Sequence, residues 1–103
     1  MISQQKFADA KKIDIPVDAR QILKNDHSEI ILITLKMDEE VPAHDNPFEV
    51  SFVGIEGKAE LTIDGEIFSI GRYDTYTIPS GHLRGLKNTE KEDFKIAVIK
   101  KLN

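Results

Sequence analysis

Through most of the chain, apolar and polar residues alternate in short runs separated by turn-forming pairs. Ala59, Leu61 and Ile63 alternate with Glu60, Thr62 and Asp64, the period of two expected of a half-buried strand, because successive side chains leave opposite faces. Asp64-Gly65 follows at once. A two-residue hairpin turn needs positive φ at both central positions, and Asp and Gly adopt it readily. The chain returns through Glu66–Ile70, turns at Gly71-Arg72, and runs through Tyr73–Ile78 to a break at Pro79-Ser80-Gly81. Phe94–Lys100 places Phe94, Ile96 and Val98 on one face. Upstream, Asn25-Asp26 separates Arg20–Lys24 from Glu29–Met37, Val41-Pro42 and Asn46-Pro47 punctuate the next stretch, and Phe48–Ile55 ends at Glu56-Gly57. Many short strands, regular turns and no amphipathic helix predict an all-β jelly-roll sandwich or barrel.

Two strands depart from simple alternation. Ile30–Leu35 is apolar on both faces, and Val50–Ile55 puts Val50 and Phe52 on one face with Val53 and Ile55 on the other. A strand with one solvated face alternates, so something covers the second face. The cover is either the N-terminal segment or a loop, or a second copy of the chain. A small barrel has little spare chain for the purpose, which favours a homodimer built on one sheet. Residues 1–18, where Phe7, Ile13, Ile15 and Val17 alternate with polar neighbours, read as a loosely attached segment: an edge strand or a dimer arm preceding a core over about 29–100.

The 103 residues suit a single domain. Fourteen Lys and Arg against eighteen Asp and Glu, a net charge of −4, argue against nucleic acid or a membrane surface as partner. The absence of cysteine excludes disulfides, thiolate metal sites and a thiol nucleophile. No run of apolar residues approaches the ~20 that a membrane span needs, and no signal-type stretch opens the chain, so a cytoplasmic location is expected.

The polar residues in unusual places are His44, Asn46, Glu49, His82, Arg84 and Asn88. His44 and Asn46 share a face if extended, as do His82 and Arg84 after the Pro79-Ser80-Gly81 turn. Their spacing resembles that of the cupin superfamily, whose fold is a small double-stranded β-helix, or jelly roll. That family carries a first motif H-x-H-x(3,4)-E-x(6)-G and a second G-x(5)-P-x-G-x(2)-H-x(3)-N. His44 and Gly57 match the first; Gly71, Pro79, Gly81 and Asn88 match the second, with two extra residues between Gly71 and Pro79.

The resemblance implies a divalent metal held by three histidines and a glutamate, but of those positions only His44 keeps its ligand. Asn46, Val50 and Arg84 stand at the other three, and Glu49 lies one residue before the glutamate position. An arginine about 4 Å from a divalent ion would be repelled by roughly 8 kcal/mol at an effective dielectric of about 20, and guanidinium does not escape by deprotonating. No cofactor is therefore favoured. The alternative is a metal-dependent cupin enzyme, of dioxygenase or isomerase type, with His44, His82 and a bulge-reoriented Glu49 as a two-histidine, one-carboxylate site. The favoured reading centres on Arg84, which demands an anion: either a small polar or anionic ligand also contacted by His44, Asn46, His82 and Asn88, or Glu49 in a closed pair that leaves a structural or regulatory barrel. Tyr73 and Tyr76 are expected on opposite faces of one strand.

Overall fold

The computed structural model describes residues 1–102. After a 3₁₀ turn at Phe7–Asp9 come ten strands: β1 (Lys11–Lys12), β2 (Asp18–Lys24), β3 (Ser28–Leu35), β4 (Glu40–His44), β5 (Glu49–Glu56), β6 (Ala59–Ile63), β7 (Glu66–Ile70), β8 (Thr75–Ile78), β9 (Arg84–Lys87) and β10 (Phe94–Lys101). They form two antiparallel sheets, a six-stranded one ordered β1-β2-β3-β10-β5-β8 and a four-stranded one ordered β4-β9-β6-β7. No helix among the described residues is long and apolar enough to cross a membrane.

The predicted alternation supplies the core. Ile31, Ile33 and Leu35 of β3, Phe94, Ile96 and Val98 of β10, and Val50 and Phe52 of β5 point inward from the larger sheet; Ala59, Leu61, Ile70 and Leu86 meet them from the smaller. Val17 and Ala19 join the same cluster, so the segment ahead of Glu29 contributes to the core as well. Asp64 and Gly65 take φ of +49° and +84°, the paired positive values that the β6–β7 hairpin requires.

Strands β4 and β9 were not expected as strands. Tyr73 also departs from expectation. It sits at φ +67° in the turn before β8, exposed beside Arg72, whereas Tyr76 is half-buried against Phe68. The Gly71–Asp74 turn, in which the Gly71 N–H donates to the Asp74 carboxylate, consumes the first two residues of the apparent β run.

Asn88 is a member of the core rather than of a pocket. It is fully buried, its Nδ2 donates to the carbonyls of Leu35 and Glu92, and its Oδ1 accepts from the Glu90 N–H. Every hydrogen-bonding group of the side chain is committed, so it has none to offer a ligand. Its backbone continues the tie, accepting from the Asp38 N–H and donating to the Glu39 carbonyl.

The outer face of the larger sheet carries Leu32, Ala97 and Val53 in one cross-strand row and Ile30 and Ile99 in the next. The N-terminal segment reaches only the β2 edge of this face, where Gln5 donates to the Gln21 carbonyl and the Phe7 ring lies 5.7 Å from the Arg20 guanidinium. The rows on β3, β10 and β5 remain half-buried.

Replacing Asn88 by Ala leaves three backbone groups without their side-chain partner. Urea unfolding is expected to show a loss of about 2–4 kcal/mol.

Candidate functional site

A cavity of about 440 Å³ opens between the two sheets. Its floor is the inner face of the larger sheet, including Ile31, Ile33, Phe52 and Val98, and the β1–β2 hairpin loop closes one side with Ile13, Ile15, Pro16 and Val17. This loop is folded back by hydrogen bonds from the Ile13 N–H to Ala19 and from the Ile15 N–H to Ile13. The smaller sheet supplies the polar side: Arg84 from β9, His44 from the end of β4, and Asn46 just beyond it.

The position of Arg84 follows from its strand. In β9, Leu86 must face inward to join the core, and Asn88 beyond it is tied inside, so period-two alternation turns Arg84 inward too. The residue is only 2% exposed. Its Nη1 donates to the His82 carbonyl across a long 3.3 Å, and its Nη2 is buried with no hydrogen-bond partner. Among the described residues no carboxylate lies within ion-pair distance of it. Burial pulls the guanidinium below its ordinary pKa, an effect partly offset by the field of the Asp45 carboxylate. The group nevertheless remains a cation near neutrality.

His44 reaches the same face through a bulge. Val41 pairs with Leu86 and His44 with Arg84, so Pro42 and Ala43 together oppose Gly85 alone. The extra residue reverses the parity of β4 and puts His44 directly across from Arg84. Proline is tolerated there because β4 is an edge strand. Gly85 is required by the same feature: a Cβ on it would stand 2.9 Å from both the Ala43 nitrogen and the Val41 oxygen. The exposed His44 ring contacts the Pro42 carbonyl through Nδ1 at 3.0 Å. A carbonyl only accepts, so Nδ1 carries the proton and Nε2 faces outward from that bond. Asn46 uses its Oδ1 to accept from the Phe48 N–H, which leaves its Nδ2 as the donor end.

The other candidates lie elsewhere. Glu49 is exposed while Val50, next to it, is buried on the cavity wall. No bulge near Pro47 changes this parity; the β5–β10 irregularity falls at Lys95/Ile96 instead. The closed Arg84–Glu49 pair therefore does not form. His82 turns its Nδ1 to Asp64 Oδ2 at 2.6 Å, outside the cavity lining. Asp64 also accepts from the Leu83 N–H; the bonds from His82 and then Leu83 hold its carboxyl below the usual carboxylate range. This clamp fixes the loop whose His82 carbonyl touches Arg84, which makes His82 a positioning residue. Lys100 reaches the lining too, but Glu29 lies 3.5 Å from its Nζ.

These residues do not fit a divalent ion. His44, His82 and Glu49 do not converge, and among the described residues no three His, Asp or Glu side chains could hold a metal. At the expected ligand positions stand an amide whose oxygen is engaged, the apolar Val50, and an unpaired cation. Sequence reasoning missed Asp45, an ordinary loop acid by pattern, and the hairpin wall at 13–17, whose alternation was visible without its destination.

An unpaired buried cation is a burden on folding. Arg84→Met is therefore expected to be more stable than the natural chain by about 1–3 kcal/mol in chemical denaturation.

The family model for the cupin domain matches residues 31–100. No curated protein matches the sequence. Among solved structures, the polyketide cyclase RemF from Streptomyces resistomycificus is similar over 100% of this chain and 81% of its own, with a TM-score of 0.85 at 16% identity. An RmlC-like cupin from Shewanella frigidimarina gives a TM-score of 0.86 at 13% identity, covering 100% and 93%. An RmlC-like cupin with a double-stranded β-helix fold from Methanocaldococcus jannaschii gives 0.76 at 20%, covering 98% and 89%. Together the matched domain, the two-sheet architecture and these neighbours place the chain in the cupin superfamily as a small cupin domain.

Proposed function

We propose that this cupin binds a small anionic molecule in the cavity, with Arg84 in the role that a metal plays elsewhere in the family. One observation carries the reading: a guanidinium almost fully removed from solvent has a donor, Nη2, without any partner, on the wall of a cavity large enough for a small molecule. A carboxylate supplies both the missing acceptor and the missing charge, and the planar fork of arginine suits it. His44 and the Asn46 amide stand at the same side to orient the ligand. The purely structural alternative loses support, since Glu49 does not plug the site and the cavity is not filled. A metal-dependent activity has no ligand set to support it, and catalysis by the chain's own residues would be a further step beyond binding.

We also propose that a second copy covers the apolar rows of Ile30, Leu32, Val53, Ala97 and Ile99. Its cross-strand rows run from β3 across β10 to β5, and the Gln5 and Phe7 contacts of the chain's own N-terminal segment fall on β2, at its edge.

The ligand reading is tested by thermal unfolding with simple carboxylates at millimolar concentration. A ligand at ten times its Kd should stabilise the natural chain by about 1.4 kcal/mol, a rise of several degrees in Tm. Arg84→Met should show no rise; an equal rise in both would discard the reading. For the dimer, light scattering should give about twice the 11.6 kDa chain mass, falling to one chain in Leu32→Glu. A monomeric natural chain at high micromolar concentration would refute it.

A further inference from the structure

The cavity wall carries one buried cation without a counter-charge, Arg84, and an exposed unpaired carboxylate, Glu40. Apart from these and Lys100, His44 and Asn46, its lining is mostly apolar, and this narrows what it can hold. Of the cations on its wall, Lys100 is already matched by Glu29 at 3.5 Å, with Gln21 bonded to the same carboxylate, whereas Arg84 has no matching carboxylate. Apart from the paired Lys100 of β10, the polar groups sit on one side. Arg84, His44 and Asn46 belong to β9, β4 and the turn after it, while the opposing surfaces are the hairpin loop at 13–17 and the inner face of the larger sheet.

From this division we propose that the ligand is an apolar monocarboxylate: one carboxylate on Arg84 and a hydrocarbon body, a single ring or a short branched chain, against Ile13, Ile15, Val17 and Phe52. The inference rests on the anion-binding reading above and sharpens it to a class. Three comparisons of energy lead there. A second carboxylate would be desolvated with no free cation to meet it, and the Glu40 carboxylate on the wall would repel it. Hydroxyl groups on a body lying against isoleucine, valine and phenylalanine would be buried on side chains that neither donate nor accept hydrogen bonds, so sugar acids are disfavoured. A hydrocarbon body, by contrast, gains from every part of the wall it covers. The volume of about 440 Å³ lies toward the small end of pockets that enclose organic molecules, which limits the body to roughly one ring with a short tether.

Isothermal titration of the full chain with a matched set of probes tests the class: 3-phenylpropanoate, the neutral 3-phenylpropanol, succinate and gluconate. The expected result is 3-phenylpropanoate binding at least tenfold tighter than each of the other three, corresponding to about one hydrogen-bonded charge or one unburied ring. Arg84→Gln, shown folded by circular dichroism, should lose the preference of acid over alcohol. Should that variant not fold, the probe series on the natural chain decides alone. Succinate or gluconate binding as tightly as 3-phenylpropanoate overturns the apolar class while leaving anion binding intact. The alcohol binding as tightly as the acid overturns anion binding, and no binding by any carboxylate overturns both.

Discussion

Strand β9 can occupy only one register, and the site depends on that constraint. Leu86 belongs to the core, and Asn88 is locked to the carbonyls of Leu35 and Glu92. A slip by one residue would expel both and bring Gly85 and Lys87 inside, reversing every side chain of the strand. Held this way by the packing of Leu86 and the hydrogen bonds of Asn88, β9 has no choice but to bury Arg84. The cation is a consequence of register, not of local preference.

The energetic balance supports the proposed binding role of the cavity. Folding buries a charge against a single long hydrogen bond and the field of Asp45. Nothing in the fold recovers that cost, since an apolar residue of similar volume would fill the wall more favourably. Around it the chain invests in shape: a two-residue bulge at Pro42–Ala43, a glycine at position 85 that only the bulge requires, and the Asp64–His82 clamp on the adjoining loop. The arrangement orients polar groups at one side of an apolar space, the usual division of labour in a small-molecule pocket.

Much of the architecture was legible from the chain. The alternation in β6 and β10, the apolar runs of β3 and β5 and the Asp64-Gly65 turn follow from local rules of patterning and turn chemistry. Where the site lies, those rules fail. β4 is short, contains Pro42 and loses its period at the bulge; β9 contains Gly85 and an inward arginine, which reads as a polar loop. The same two features that build the pocket erase its strands from the pattern. Tyr73 misled for the opposite reason, being a good strand residue captured by the Gly71–Asp74 turn.

By itself, then, the sequence determined the all-β class, the family resemblance and the departure of the metal-ligand positions, with an arginine at one of them, because each rests on residue identity and short spacing. Only the tertiary structure decided which polar residues share a space with that arginine. His44 gained the site through a bulge, Glu49 lost it through strand parity, His82 was drawn away by Asp64, and Asn88 was absorbed into the core. Each outcome turns on a register or a hydrogen bond made by residues far apart in the chain, and spacing along a chain carries no record of partners across a sheet.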